Sequence, residues 1–424
     1  MNLDFFIFIL LINVINLEIL VIQFEKILDE KPFNFSKSKI ENLIYTNILI
    51  GTPKQKIKSF ISLNKGTFYI SDSYIPKEFN KNLSSTFKFE SLSDIEFNLE
   101  EDFNSGLLSK DIIQCKNVKG ENVKITNLTF IYATKYKNNS NLFPSGLGLM
   151  LKTLEKKKKY NFSYQLKENN IISSYTFTIK FYKENYGEII IGDYPHNYNN
   201  NFFSEDFKYT KSLEFDHFFQ WKFEIDKIIN NEVIIQNKIP IIISINYGTF
   251  VGNSKYLEEI NHIFFNNYIN KKLCEFKLSH NELMNYYECN DNINILNFPK
   301  LKFYDKIMNY TFEFDYNDLF LKKDNKLYFL ITFRTKDFRD NWIFGVIFLK
   351  KYQIIFDQER EIIGLYINSR KEKKNDLFKI LTIICLFIIV ILVGILIKTI
   401  NKKRKIRANE LEENFEYISE RKLI

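Results

Sequence analysis

Residues 61–68 read ISLNKGTF and residues 243–250 read ISINYGTF, a match at six of eight positions across an offset of 182 residues. Compositional bias does not readily place Gly and Thr at the same offsets in two strand-turn segments, so the pair marks an internal duplication. A chain of 424 residues is long enough for two domains or one large two-lobed one, and a hydrophobic content of 45% supplies a sizeable core.

Outward from the repeat, the chain is built of short β-type runs, several with period-two alternation, at residues 45–50, 57–63, 176–181, 188–191, 222–228 and 354–356. This pattern predicts an all-β body. Helical patterning is sparse and strongest at residues 254–266, where a polar cap precedes spaced apolar residues. An Asn-rich stretch with one Pro, residues 194–203, is the natural linker between the halves. Asn, Lys, Ile and Phe are heavily used while Gly (13) and Pro (7) are scarce, a bias that AT-rich coding produces without functional pressure. Tracts such as Asn199, Asn200 and Asn201 therefore carry little information.

An apolar run lies towards each end of the chain. Residues 5–14 have the length of a secretory h-region and are too short to span a bilayer, which predicts a signal peptide over residues 1–20. Asp4 stands where such leaders usually carry positive charge, so an uncleaved anchor is the alternative. Residues 380–397 are eighteen consecutive uncharged residues, ILTIICLFIIVILVGILI, which span about 27 Å as a helix. Lys398, Lys402, Lys403, Arg404, Lys405 and Arg407 follow at once, which suits a cytoplasmic flank. A single-pass type I membrane protein of the secretory pathway is predicted, in the endoplasmic reticulum, another endomembrane or the cell surface. Its tail is residues 398–424 and ends in Arg421-Lys422-Leu423-Ile424, similar to dibasic retrieval signals.

The net charge is +8, but the basic residues are spread through the body and concentrate only beside the membrane, which favours anionic lipid over nucleic acid. Glycosylation candidates are the sequons at Asn34, Asn82, Asn127, Asn138, Asn161 and Asn309. Of four cysteines, Cys385 lies in the membrane segment, Cys274 and Cys289 are close enough in sequence to bridge, and Cys115 is left over. His196, His217, His262 and His280 are isolated, without zinc-ligand spacing, and no G-x-S-x-G, Walker or dinucleotide loop occurs. No metal and no cofactor are expected.

Several segments, in order, resemble the pepsin family of aspartic proteases. They are YTNILIGTPKQ (45–55), GLLSKDII (106–113), SGLGLM (145–150), WKFEIDKI (221–228), PKLKF (299–303) and WIFGVIFLKKYQIIFDQEREIIGLY (342–366). The resemblance runs over residues 41–367 and implies a bilobal pepsin-like fold, two pseudo-symmetric β lobes (41–194 and 204–367) around a central cleft. It also implies that Cys274 and Cys289 form the family's C-lobe disulfide.

In the family, one Asp from each lobe shares a proton and holds the attacking water, because two close carboxylates cannot both ionise. The ionised partner draws a proton from the water while the protonated one polarises the peptide carbonyl. No D-T-G-[ST] motif exists in this chain. A gapless alignment puts Ser62 and Ser244 at the two Asp positions, with Leu63 and Ile245 replacing the Thr pair that cross-links the loops. Sliding by two puts Asn64 and Asn246 there instead. Neither a hydroxyl nor a neutral amide acts as a general base near neutrality, so both alignments imply an inactive site. The flap departs as well, with Leu99 for the family's Tyr and Glu100, Glu101, Asp102 and Phe103 at its tip, and Val346 replaces an Asp. Asp226 and Asp357 match structural aspartates of the family, and Asp72 lies beyond the loop.

A membrane-anchored, inactive homologue binding a peptide or protein in its cleft is therefore expected, the ligand held by backbone hydrogen bonds and side-chain pockets that need no catalytic pair. The alternatives are an active aspartic endopeptidase with an atypical site and a structural surface glycoprotein. Only about twenty residues separate the leader from Tyr45, so a basic inhibitory prosegment is absent or truncated.

Overall fold

Each copy of the octapeptide leaves the end of one strand and returns as another, with a third strand between the two. In the first half, Gln55–Ser62 runs parallel to Ser145–Gly148 with Ser62 opposite Gly148, and Tyr69–Ser71 pairs antiparallel with that same strand. In the second half, Ile239–Ile243 runs parallel to Trp342–Phe344, and Phe250–Gly252 pairs antiparallel with it. The returning strands also match, since Tyr69–Ser71 lies parallel to Asn122–Tyr136 and Phe250–Gly252 lies parallel to Ile331–Arg334. The duplication read from eight residues is thus a duplication of strand pairing.

This computed structural model describes residues 17–26, 44–71, 79–96, 103–136, 145–151, 160–183, 185–213, 220–230, 232–235, 238–278, 284–335, 341–367, 391–394 and 397–404. The chain forms two units, Met1–Asn368 and Ser369–Ile424. Described residues of the second unit, 391–394 and 397–404, are helical. Among the described residues no helix is long and apolar enough to cross a membrane. Most of the predicted membrane segment, residues 380–390 and 395–396, lies outside them, as does the tail from residue 405.

Within the first unit the largest sheet draws on both halves of the chain. Its order runs Phe207–Lys211, Ile362–Tyr366, Ile354–Asp357, Thr176–Lys183, Tyr186–Ile191, Leu20–Lys26, Ile44–Ile50 and Gln55–Ser62. The join between halves is the antiparallel pairing of Thr176–Lys183 with Ile354–Asp357, from Thr176 opposite Asp357 to Ile179 opposite Ile354. Aromatic rings fill the layer behind that join. Phe177 stacks on Phe356 at 4.9 Å, and Trp221 meets their edges at 5.8 and 4.9 Å.

The predicted strands form, with two changes. The run at 222–228 breaks at Asp226 into Lys222–Ile225 and Lys227–Asn230, which join different sheets. Asp226 makes the corner, its N–H donating to the Tyr304 carbonyl (2.9 Å) and its carboxylate accepting from the Lys306 N–H (2.7 Å). The second change is an added strand, Leu20–Lys26, beginning at the last residue of the predicted leader. Glu18 N–H donates to the Ile171 carbonyl (2.7 Å), the Ile19 carbonyl accepts from Val118 N–H (3.0 Å), and Leu20–Lys26 sits between Tyr186–Ile191 and Ile44–Ile50. Removing residues 18–20 would strip backbone partners from the sheet, so any cleavage that preserves it falls before Glu18. The predicted helix at 254–266 forms as a composite, from the 3-10 turn Ser254–Tyr256 through Leu257–Ile260 and the π segment Asn261–Phe265 to Asn266–Asn270.

Cys274 and Cys289 are bridged, directly opposite each other on paired strands. Burial pushes the Cys115 thiol up to about 12, so it stays neutral and is a poor nucleophile.

Asp305 closes the strand Leu301–Asp305 and is 1% exposed. One carboxylate oxygen accepts from the Met308 N–H (2.9 Å), and the other has no partner. Burial, with Asp226 and Glu224 nearby, pushes this carboxyl up to about 6. An unfolded Asp titrates near ~3.9, so the folded form holds its proton longer, and stability falls as pH rises from about 4 to about 6. Asp305→Asn is expected to raise stability at pH 7 by up to about 3 kcal/mol and to change it little at pH 4. Equal effects at both pH values, in urea titrations, would show that the buried charge carries no such penalty.

Candidate functional site

Ser62 ends its strand and is 2% exposed; Ser244, one residue past Ile239–Ile243, is 1% exposed. Each hydroxyl oxygen accepts a hydrogen bond from the backbone N–H two residues on, Asn64 to Ser62 at 3.2 Å and Asn246 to Ser244 at 3.3 Å. The two loops are therefore built alike around their serines. The flanking Leu63 and Ile245 are fully buried in the same apolar core, so packing stands where the family resemblance implies a pair of hydroxyls.

Asn64 and Asn246 also behave as a pair. In each, the side-chain carbonyl oxygen is buried and has no hydrogen-bond partner. Buried polar atoms are usually satisfied, so the two loops match in this departure as well.

Glycines carry the strands that meet these loops. A Cβ on Gly148 would lie 2.5 Å from the Lys65 carbonyl oxygen and 2.7 Å from the Thr67 nitrogen. A Cβ on Gly345 would lie 2.2 and 2.3 Å from the carbonyl oxygens of Thr249 and Tyr247, again inside the octapeptide. No side chain fits at either position. Val346 donates its N–H to the Tyr247 carbonyl (2.7 Å) and buries its side chain.

One residue links the two loops. The Trp221 indole N–H donates to the Leu149 carbonyl (2.9 Å), and the Leu149 N–H donates to the Ser62 carbonyl (2.8 Å). The Trp221 carbonyl accepts from the N–H of Ile243, the neighbour of Ser244 (2.9 Å). Ser62 and Ser244 are thus connected through three hydrogen bonds and a buried indole. The sequence marked Trp221 only as the start of a segment; its role depends on residues 72 positions away.

Of the acids the sequence singled out, two are described, and both are otherwise engaged. Asp357 is buried and accepts from the Tyr194 hydroxyl and from the N–H groups of Glu359 (2.8 Å) and Arg360 (3.0 Å). Asp226 holds the corner described above, and Asp72 lies outside the described residues, as do Leu99, Glu100, Glu101 and Asp102 of the flap. Phe103, which the sequence placed at that tip, is instead buried against Tyr69 at 4.9 Å. His196 pairs with the Tyr366 hydroxyl, and His217 and His280 lie outside the described residues. Among the described residues no three metal-ligating side chains gather, and no His or carboxylate bonds to either serine.

Asn161, one of the sequon residues, supports the first octapeptide loop. It is 2% exposed and caps the helix Phe162–Glu168. Its Oδ1 accepts from the Tyr164 N–H (3.0 Å) and the Ser163 hydroxyl (2.8 Å), while its Nδ2 donates to the Gly66 carbonyl (3.1 Å). It is a strut for the first octapeptide loop.

With serines at both loop centres, the described residues of the site can donate and accept hydrogen bonds, and among them no group at either loop centre ionises to a base near neutrality. A family model described as eukaryotic aspartyl protease matches residues 44–366. No curated protein sequence matches the chain. Among solved structures, the fold is similar to that of basic 7S globulin from soybean, at 15% identity and a TM-score of 0.62, covering 83% of this chain and 96% of that one. It is also similar to conglutin gamma, a basic 7S globulin from lupine seeds, at 16% identity and 0.62, covering 84% and 96%. With the family model matching residues 44–366, well over half of the sequence, the chain belongs to the eukaryotic aspartyl protease family.

Proposed function

We propose that this protein is a membrane-anchored, catalytically silent aspartyl protease homologue whose interlobe cleft holds a peptide or protein segment without cutting it. The observation that carries the reading is the matched pair of loops, in which Ser62 and Ser244 each accept the N–H two residues on. That contact ties each serine into the centre of its own loop. It supports the gapless placement of the lost aspartates over Asn64 and Asn246. A matched change in both lobes leaves no carboxylate to deprotonate water, whereas a ligand held by its backbone needs none.

Anchoring rests on the apolar run at residues 380–397 and the basic block after it. The bridge between Cys274 and Cys289 supports an oxidising, lumenal or extracellular setting for the first unit. Carbonate extraction of membranes is expected to leave the full chain in the pellet, and its release would overturn the anchor.

The purified ectodomain is expected to hydrolyse no peptide above background between pH 3 and pH 7, with or without pepstatin. Turnover sensitive to pepstatin would overturn the silent reading, and turnover surviving Ser62→Ala and Ser244→Ala would also overturn the placement of the site. Capture of extended peptides from a random library supports the cleft as a binding site. A library that yields none favours a fold kept as a rigid surface module.

A further inference from the structure

Four sequons fall within the described residues, and the structure separates them. We infer that Asn82, Asn127 and Asn309 carry N-linked glycans in the folded protein and that Asn161 does not. An N-glycan is attached through the side-chain Nδ2, so that nitrogen has to reach solvent once the fold has closed.

The three acceptors meet this requirement by different local geometry. Asn82 is exposed in the 3-10 turn Lys81–Leu83; the contact made there is to its backbone, whose N–H donates to Asn80 Oδ1 (3.1 Å). Asn127 is exposed at a β-bulge. The pairing steps from Asp111 opposite Leu128 to Ile113 opposite Ile125, so Thr126 and Asn127 share one position opposite Ile112. Asn309 is exposed in the turn between Leu301–Asp305 and Tyr310–Phe314, at φ +48°, a left-handed conformation that Asn tolerates. There the Tyr304 hydroxyl bonds Oδ1 (3.2 Å) and leaves Nδ2 to solvent.

Asn161 is the opposite case. Its Nδ2 is spent on the Gly66 carbonyl inside the core, and a sugar on that nitrogen would break the helix cap and push the helix Phe162–Glu168 away from the octapeptide loop. Chains modified there are therefore lost before they fold. The inference rests on the lumenal placement of the first unit proposed above and is independent of the state of the cleft.

The test is site occupancy in the full chain, expressed in a eukaryotic secretory host and recovered folded. Treatment with peptide N-glycosidase in heavy-oxygen water converts each glycan-bearing Asn to a labelled Asp, read by peptide mass, with the Cys274–Cys289 bridge scored in the same non-reduced digest. Label at Asn82, Asn127 and Asn309, with none at Asn161, is expected. Any of the three found unlabelled while the bridge is formed overturns that site, and label on Asn161 in the folded pool overturns its exclusion. No label together with reduced cysteines overturns both the inference and the lumenal placement.

Discussion

Trp221→Ala is expected to destabilise the first unit by about 4 kcal/mol, the range for deleting a fully buried large aromatic. The indole is 0% exposed, packs against Phe177 and Phe356 across the join between halves, and donates to the Leu149 carbonyl. Removal opens a cavity at the join and leaves that carbonyl buried without its donor. Trp221→Phe separates the two effects, because it keeps much of the ring packing and loses the N–H, at about 1–3 kcal/mol for the orphaned carbonyl. Urea titrations of the ectodomain measure both. A loss below about 1 kcal/mol for Trp221→Ala would mean that the surrounding side chains collapse onto the site and that the indole is no strut. Because the same residue reaches both serine loops, amide hydrogen exchange at Asn64 and Asn246 is expected to quicken in Trp221→Ala.

Gly345→Ala is expected to be nearly as costly, at about 3 kcal/mol or more, the upper end for overpacking. The added methyl meets backbone oxygens of Thr249 and Tyr247 at 2.2 and 2.3 Å, and backbone gives way less readily than the end of a flexible side chain. Gly148→Ala, with contacts at 2.5 and 2.7 Å, is expected to act in the same direction on the other lobe. If both variants unfold at the same urea concentration as the parent, the strands do not approach the loops as closely as described. A large effect at one position and none at the other would break the equivalence of the two lobes at this point.

Much of the β framework was legible because strand patterning is local. The alternation that predicted a strand at 57–63 depends on neighbours two residues apart, and Gln55–Ser62 forms there. Cys274 and Cys289 pair as neighbours on a short hairpin, which their spacing already allowed. The strand Leu20–Lys26 was not legible for a physical reason. Leu20–Lys26 continues the apolar character of the preceding segment, and a discarded leader and an interior strand bury similar side chains. Only pairing with Tyr186–Ile191, more than 160 residues away in the chain, separates them. The burial of Asn161 was not legible either, since its sequon is complete in three residues while its contact is with Gly66, 95 positions earlier.

What the sequence by itself determined is chemical identity. The octapeptide appears twice and neither copy contains a carboxylate, a fact readable from residues 61–68 and 243–250 alone. Tertiary structure alone decided how those residues are held: which N–H each serine accepts, which glycines admit the crossing strands, and that Trp221 joins the two loops. Those contacts bridge segments far apart in the chain, and their geometry exists only once the strands have paired, whereas covalent sequence fixes which groups are present before any pairing occurs.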